Sequence, residues 1–294
     1  MINKLVVWGG NSGSLESHRH IHRAFYENAR KLGIYTVWAP DDERSNGQLT
    51  PGTTVIAADL WNEHLHPHEE VNYVLHNFNG DHPLIEQTEA ERVLRLQVWT
   101  YDAFGEEWAD CRQYSVEGRV LFQPWGTDLL SEEFMDPVFN PMSRTAAFVG
   151  AIWSELHQDG DLGNQESINI LRNVLRENGL TFEHRTQVSV AENINAVREA
   201  RVAPAITGGW QVAHGYLPCR IFKNVSYGTL GFTNVAAARF LLGDFAGRSI
   251  EELVPMVLRL RKNEYEEIVR EQQRKVASYT YRQSLEAISR AFGE

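Results

Sequence analysis

Short apolar runs alternate along the chain with longer stretches in which apolar residues recur at helical spacing. A helix is predicted over Glu16–Leu32, and Gly33 is suited to the left-handed conformation that closes many helices. The runs of the first half predict strands at Leu5–Trp8, Tyr35–Trp38, Thr53–Ala57, Asn72–Leu75, Val93–Trp99 and Arg119–Phe122. Strands that alternate with helices are typical of a parallel sheet covered on both faces.

The pattern stops between Pro124 and Ser143, where prolines fall among acidic residues without periodicity. We interpret this segment as a linker between domains. Beyond it, strands are predicted at Ala146–Gly150, Leu180–His184, Val202–Ile206 and Leu230–Thr233. Helices are predicted at Gln165–Asn178, from Ser189 to about Ala200, at Arg220–Tyr227, behind Ser249 and at about Ala277–Phe292. Ser189 and Ser249 are each followed three residues later by glutamate, which is the pattern of a capping box.

These two alternations predict an α/β protein made of two Rossmann-like halves with a cleft between them. In open α/β sheets, ligands bind beyond the carboxyl ends of the strands. The loops that follow the strands are therefore the expected walls of the site.

Composition narrows the class of protein. The chain has 294 residues and a formal net charge of −11, the wrong sign for a protein that holds duplex DNA by its phosphates. Its two cysteines form neither a zinc pattern nor a disulfide framework, which fits a reducing compartment. No apolar run approaches the length of a signal-peptide core or of a membrane span. We expect a cytoplasmic protein without an integral membrane segment, and peripheral association with a membrane stays open.

The most informative segment is 214–229, where a glycine-containing loop leads into a predicted helix. The first turn of this helix carries Arg220 and Lys223, which share a face. A helix N-terminus suits a phosphate, and an arginine binds phosphate oxygens in pairs. The residues alone fit equally well an ordinary helix with a solvated basic face.

This segment resembles the donor-binding segment of GT-B glycosyltransferases, and in particular the CgeB-like proteins within the group 1 glycosyltransferases. Their loop has the form G-x-P-x-R-x-F-E, followed by a helix and a glycine. The matching residues are Gly215, Pro218, Arg220, Phe222 and Gly228. Residues 278–282 resemble the T-Y-x-x-R of the last helix in these proteins, and residues 148–150 resemble the first strand and loop of their nucleotide-binding domain. The resemblance covers about residues 146–290.

The resemblance implies a GT-B fold, in which two Rossmann-like domains face a central cleft. We expect an acceptor-side domain over 1–135, a nucleotide-sugar-binding domain over 136–275, and a C-terminal helix over 276–294 that returns to the first domain. The residues that would bind the donor are Gly150, Arg185, Tyr216, Arg220, Lys223 and Asn224. Such enzymes generally need no metal and no cofactor, and the nucleoside-diphosphate sugar is a co-substrate.

The chain departs from the family at two positions. Many retaining members carry two glutamates separated by seven residues, and these would fall near Gly215 and at Lys223. Lys223 cannot accept hydrogen bonds from a ribose, but it can neutralise a diphosphate leaving group. The choice between retention and inversion therefore stays open.

The acceptor hydroxyl needs a base, for which histidine or a carboxylate serves. His18 lies near the start of the first helix, among Glu16, His20 and His22, and His76 follows the strand that ends at Leu75. We predict His18 and His76 as catalytic candidates together with Lys223. Equally, His76 fits a structural histidine, and His18 fits an exposed residue at the start of a helix.

Three other groups of residues are candidate metal ligands. They are the pair His18 and His22, the alternating His64, His66 and His68, and the triplet Asp159-Gly160-Asp161. The histidines have neither an H-E-x-x-H pattern nor a cysteine partner, and the triplet favours a turn. We therefore predict no metal site.

The sequence thus predicts a metal-independent, hexosyltransferase-type glycosyltransferase. It would move a sugar from a nucleoside-diphosphate sugar to a hydroxyl of a glycan or small molecule, without a nucleic-acid partner. Two alternatives remain: a nucleotide-sugar epimerase or phosphorylase on the same scaffold, and a degenerate GT-B protein that binds without turnover.

Overall fold

A computed structural model describes residues 2–9, 17–58, 63–76, 83–97, 116–117, 120–122, 126–154, 156–157, 160–161, 163–213 and 215–293. The first part of the chain builds a seven-stranded sheet in the order β2-β1-β3-β4-β5-β7-β6. Its strands are β1 (Lys4–Trp8), β2 (Tyr35–Ala39), β3 (Thr53–Ala58), β4 (Asn72–His76), β5 (Val93–Gln97), β6 (Val116–Glu117) and β7 (Val120–Phe122). All neighbours pair in parallel except β6 and β7, so the expected parallel sheet is confirmed.

The centre of this sheet is buried on both faces. In β1, the side chains from Leu5 to Trp8 are inaccessible to solvent, and Leu5 lies opposite Thr36 on one side and Thr54 on the other. This is why β1 is a continuous apolar run rather than an alternating one. Two helices, α1 (Ser17–Lys31) and α2 (Pro83–Gln87), belong to this part of the chain. Gly33 has a φ of 79°, as its expected role at the end of α1 requires.

A second, parallel pair of strands follows: β8 (Thr145–Val149) and β11 (Thr181–Arg185). Between them along the chain is a short antiparallel hairpin of β9 (Leu156–His157) and β10 (Gly160–Asp161). The remaining helices are α3 (Gln165–Glu177), α4 (Val190–Glu199), α5 (Gly209–Ala213), α6 (Cys219–Ser226), α7 (Arg239–Leu242), α8 (Ile250–Leu258), α9 (Lys262–Val276) and α10 (Tyr281–Ala291). Short 3₁₀ turns cover Glu43–Gln48, Ala90–Arg92, Ser131–Glu133, Ala236–Ala238, Gly243–Phe245 and Ala277–Tyr279. The capping box at Ser189 is confirmed, because the Ser189 amide donates to Oε2 of Glu192 at 2.8 Å and the Glu192 amide donates to Oγ of Ser189 at 3.3 Å.

Two of the strand predictions are wrong, because these segments do not form regular strands. Val202–Ile206 contributes one bridge, from Val202 to Ala146, and Leu230–Thr233 contributes one bridge, from Thr233 to Ala246. The two segments are joined by a backbone hydrogen bond, from the amide of Ala205 to the carbonyl of Phe232 at 3.1 Å, and side chains occupy other carbonyls in this region. Asn224 donates to the carbonyl of Ala203 at 2.8 Å, and the Thr233 hydroxyl donates to the carbonyl of Ala205 at 2.7 Å. Carbonyls that are satisfied in this way do not need a neighbouring strand.

The predicted linker has one 3₁₀ turn within its described part and is otherwise irregular. It is nevertheless packed. The amide of Met135 donates to Ser226 at the end of α6 at 2.9 Å, and the amide of Val138 donates to Gly228 at 2.8 Å. At its start, Thr127 pairs in parallel with Thr280.

Two apolar clusters show how the two regions of the chain are built and how they are connected. The larger apolar cluster surrounds β8, α3, α6, α8 and α9. A second cluster packs β1 and α1 against the last helix, through Tyr281, Leu285 and Ile288 of α10. Thus the segments 126–128 and 279–281 lie side by side where the chain passes between the two regions. Within the described residues, no helix combines the length and hydropathy needed to cross a bilayer.

Candidate functional site

A cavity of about 450 Å³ opens where β8 and β11 end. One wall comes from α1, through His20 and Ile21, and the opposite wall comes from the second sheet and α6. The loop Thr186–Val188, which follows β11, forms part of the lining, as does the end of β8 at Gly150. The cavity therefore lies at the carboxyl ends of the strands, where the sequence predicts a ligand.

Arg220, in the first turn of α6, is fixed beside this cavity. Its Cζ atom lies 4.2 Å from the centre of the Phe148 ring, and its Nη1 donates to the carbonyl of Val149 at 2.9 Å. Its Nε is buried and has no hydrogen-bond partner among the described residues. A guanidinium carries five N–H donors, so most of them stay available for an anion. The arrangement is a preorganised cation with unused donors.

Gly150 makes room for this arginine. A Cβ atom at this position would overlap Nη1 of Arg220, and the φ of Gly150 is 146°. Any larger residue would have to displace the guanidinium. The amide of Gly150 also donates to the carbonyl of Arg185 at 2.9 Å, which ties the ends of β8 and β11 together.

Lys223, one turn after Arg220, is a second cation on the cavity wall. Its side chain is 9% exposed, and its Nζ lies 3.9 Å from Oδ2 of Asp128. Burial works to lower the pKa of Lys223, but Asp128 and Cys219 outweigh it and the pKa is raised. Lys223 is therefore an ammonium ion at neutral pH.

His20 is the titratable group that α1 places in the cavity lining. Burial lowers its pKa from 6.5, the positive charge of Lys223 lowers it further, and the carboxylate of Asp128 opposes both. The imidazole is consequently neutral at pH 7. A neutral imidazole that lines the same cavity as the two cations can accept a proton.

Of the other predicted donor residues, the structure brings Tyr216 to the cavity and leaves two outside it. Asn224 is buried, and its amide holds the carbonyl of Ala203. Arg185 is exposed, and its side chain lies 3.4 Å from Glu183, although the loop that follows it does line the cavity.

Of the two predicted catalytic histidines, His76 does not line the cavity. His76 is 3% exposed, and its Nδ1 lies 3.2 Å from Nε2 of His22 inside the protein. The edge of the Phe25 ring closes over it, with the ring centres 5.5 Å apart. His18 belongs to α1, and its side chain lies outside the described residues.

Sequence reasoning left several lining residues unassigned. They are Trp153, Asn164, Asn193, Thr207 and Gln211. Asn164 shows why. Its side-chain Nδ2 donates to the Ala151 carbonyl, and its Oδ1 accepts from the Trp153 amide, each at 3.1 Å. These two bonds hold the loop after β8 in place beside the cavity. A single asparagine in a loop carries no signal of such a role.

The histidines at 64 and 66 lie against separate carboxylates. His66 faces Glu43 at 3.1 Å, and His64 faces Asp41 at 3.7 Å. Among the described residues, no group of three or more histidine, cysteine, aspartate or glutamate side chains is placed to hold a metal ion. Asp159 of the triplet and His214 of the segment 214–229 lie outside the described residues.

No known protein family matches the chain, and no curated protein matches its sequence. Its similarity to solved structures is clear. An alpha-glucosyltransferase in complex with UDP matches with a TM-score of 0.58 and 6% identity, over 97% of this chain and 99% of that one. An alpha-glucosyltransferase with UDP and a 13-mer DNA containing an HMU base matches with a TM-score of 0.60 and 8% identity, over the same shares. A glycosyltransferase from Rickettsia africae ESF-5 matches with a TM-score of 0.52 and 8% identity, over 98% of each chain.

The chain has the fold of these glycosyltransferases. The likeness spans nearly the full length of both partners, which supports the α/β, GT-B-type architecture that the C-terminal motifs imply. At such low identity it concerns the fold. Membership of the CgeB-like group stays a prediction.

Proposed function

We propose that this protein is a GT-B-type glycosyltransferase that moves a sugar from a nucleoside-diphosphate sugar to an acceptor hydroxyl. The observation that carries the proposal is a single cavity lined by the cations Arg220 and Lys223, from α6, and by the neutral imidazole of His20, from α1. A transfer between two substrates needs both an anion site for the leaving group and a proton acceptor for the attacking hydroxyl. The cavity offers both.

The donor diphosphate is best placed against α6. The Arg220 guanidinium is held by Val149 and Phe148 before any ligand binds, so little reorganisation is needed when negative charge develops on the leaving diphosphate. Lys223 supplies a second positive charge from a buried position, where charges act more strongly than in water. Gly150 and Tyr216 complete this wall.

The acceptor is best placed on the side of α1. In the transfer, the acceptor oxygen forms a bond to the anomeric carbon, the bond to the diphosphate breaks, and the acceptor proton moves to a base. We assign the base to His20, because it is neutral at pH 7 and faces the cavity. His76 is then a structural residue under this wall, paired with His22.

The same proposal gives the chain two domains. Residues 1–135 would carry the acceptor side, residues 136–275 would bind the nucleotide sugar, and residues 276–294 would return to the first domain. The packing of α10 against α1 and β1 supports this division. Closure of the two domains would exclude water from the reacting bond.

UDP is the first nucleotide to test, because two structural neighbours were solved with it. One of these neighbours was also solved with DNA. The net charge of −11 argues for a glycan or small-molecule acceptor here instead. We propose that Arg220 and Lys223, which line the cavity, stabilise the diphosphate and that the reaction needs no metal ion.

The test is a thermal-shift panel of UDP, GDP, dTDP, CDP and ADP, with and without Mg²⁺. A nucleotide at about 100 times its Kd stabilises the folded protein by about 2.7 kcal/mol, which is a visible shift. A response to one diphosphate identifies the donor base, and transfer from the corresponding sugar nucleotides then reports the activity. No response to any nucleotide would contradict the proposal. Donor turnover without an acceptor would instead indicate an epimerase or phosphorylase.

A further inference from the structure

The carboxylate of Asp128 lies beneath the cation wall of the cavity and is almost fully buried. Its side chain is 10% exposed. Each of its two oxygens lies 2.8 Å from the hydroxyl of Tyr227, which donates to it, and one oxygen lies 3.9 Å from Nζ of Lys223. Tyr227 is itself inaccessible to solvent. The carboxylate is therefore shared between a hydroxyl that fixes its position and an ammonium ion.

A buried ammonium ion without a counter-charge is unstable and tends to lose its proton. The groups that act on Lys223 are Asp128, the thiol of Cys219 and the guanidinium of Arg220. His20 also feels the charge of Lys223 from α1. Among the described residues, Asp128 is the carboxylate in this set, so it carries the main compensating charge.

We propose that Asp128 is a positioning residue for Lys223, whose buried ammonium it holds charged and aimed at the cavity for the donor diphosphate. The role of Lys223 at the donor diphosphate rests on the function proposed above. The pairing of Asp128 with Lys223 does not depend on that function. The linker thus contributes to the site without touching the substrate. Through its carbonyl, Asp128 also accepts a hydrogen bond from Asn28 of α1 at 3.1 Å, so it joins α1 to α6 at this point.

The first experiment measures UDP affinity by calorimetry from about pH 7 to about pH 9.5, a window below the ordinary lysine pKa of about 10.4. The wild-type affinity is expected to stay level. In Asp128→Asn, the main group that opposes the effect of burial is lost, and the pKa of Lys223 falls. The affinity should then drop with rising pH, by up to about tenfold for each pH unit above that lowered pKa, towards the affinity of Lys223→Ala.

Two variants separate the charge of Asp128 from its structural contacts. Asp128→Glu keeps the charge, and Tyr227→Phe removes the hydroxyl that positions the carboxylate. Both should retain a level pH profile, whatever their affinity. If Asp128→Asn binds UDP more weakly by the same factor at every pH, its role is structural and the proposal is overturned.

The second experiment needs no nucleotide. Chemical denaturation is followed at the same pH values. In the wild type, Lys223 is protonated in the folded and unfolded states throughout, so it adds no pH dependence. In Asp128→Asn the folded state holds fewer protons than the unfolded state above the lowered pKa, so stability should rise with pH relative to the wild type. A stability difference that is constant with pH would count against the pairing.

A rescue variant covers the case in which Asp128→Asn does not fold. Lys223→Met removes the buried cation, so Asp128→Asn combined with Lys223→Met should fold with a melting temperature near that of Lys223→Met alone. No rescue would overturn the proposal. If the stability results are as expected but no variant, nor the wild type, binds UDP or another nucleoside diphosphate, the pairing stands and the donor site is refuted.

Discussion

The backbone of Gly150 lies so close to the guanidinium of Arg220 that no side chain fits between them. The end of a strand and the first turn of a helix are thereby packed into one surface. Glycine at this position lets Arg220 lie beside the cavity and reach the Val149 carbonyl. The proposed anion site depends on a missing side chain as much as on a charged one.

Gly150→Ala should therefore weaken nucleoside-diphosphate binding without removing any donor of the site. The new methyl group would push Arg220 off Val149, and we expect a loss comparable to that of a charged hydrogen bond, about 1.5–3 kcal/mol, in calorimetry with UDP. Gly179→Ala is the matched control. Gly179 also has a positive φ, but a Cβ there meets nothing within 4 Å. The control should lose some stability and keep its affinity. Equal affinity losses in the two variants would argue against the packing explanation.

Arg220→Ala should weaken UDP binding by about 1.5–3 kcal/mol, because it removes a preorganised charged donor. Arg220→Lys should restore little of this, since a lysine does not reproduce the planar fork. Calorimetry measures both. Arg176→Ala, at an exposed position of α3, controls for the loss of one positive charge and should bind normally.

Arg185 is a residue that the sequence predicts to bind the donor, and the structure places its side chain elsewhere. Its side chain is exposed and faces Glu183 at 3.4 Å, so Arg185→Ala should bind UDP as well as the wild type. A marked loss in this variant would mean that the loop after β11 turns the arginine into the cavity when the donor binds.

His20→Gln should reduce kcat strongly while UDP affinity stays near the wild-type value, because the base acts on the acceptor. General-base catalysis typically contributes about 10²–10⁴-fold to the rate. Since the base must be neutral and its pKa lies below 6.5, turnover should be level near pH 7 and fall in more acidic solution. Initial rates across pH give both results.

His76→Ala is the companion variant to His20→Gln. It should mainly lower the melting temperature, because it opens the buried pair with His22. A loss of turnover in folded His76→Ala as large as that in His20→Gln would contradict the assignment of the base.

Gly126→Ala should destabilise the protein at the point where the two chain segments pass side by side. A Cβ at Gly126 would overlap the carbonyl of Tyr279. We expect a loss of about 1–3 kcal/mol, typical of overpacking, measured by denaturant unfolding. Gly47→Ala meets nothing within 4 Å and should unfold like the wild type.

The sequence predicts the parts of this molecule that depend on local pattern. The strand that contains Leu5 is a continuous apolar run, and the helix that follows Ser189 begins with a capping box. Both elements therefore lie where the sequence predicts them. At 202–206 and 230–233 the sequence predicts regular strands, but the side chains of Asn224 and Thr233 occupy the carbonyls of Ala203 and Ala205, which no periodicity reveals.

The same distinction applies to the residues of the cavity. Arg220 and Lys223 line it and could be selected from the sequence, because a loop and the start of a helix mark them together, while their role in donor binding stays a prediction. Asp128 is not found, because its partner Tyr227 lies 99 residues further along the chain and only tertiary packing brings the two together. His76 is placed at the correct strand end, but burial beside His22 could not be read from a strand that ends in a histidine.

The packing of α10 has a consequence for the order of folding. Tyr281, Leu285 and Ile288 complete the apolar cluster around β1 and α1, although they lie far from both along the chain. Contacts between such distant segments form slowly, and until they form, the first part of the chain holds an open apolar face. A fragment that stops before α10 should therefore aggregate rather than form an independent half.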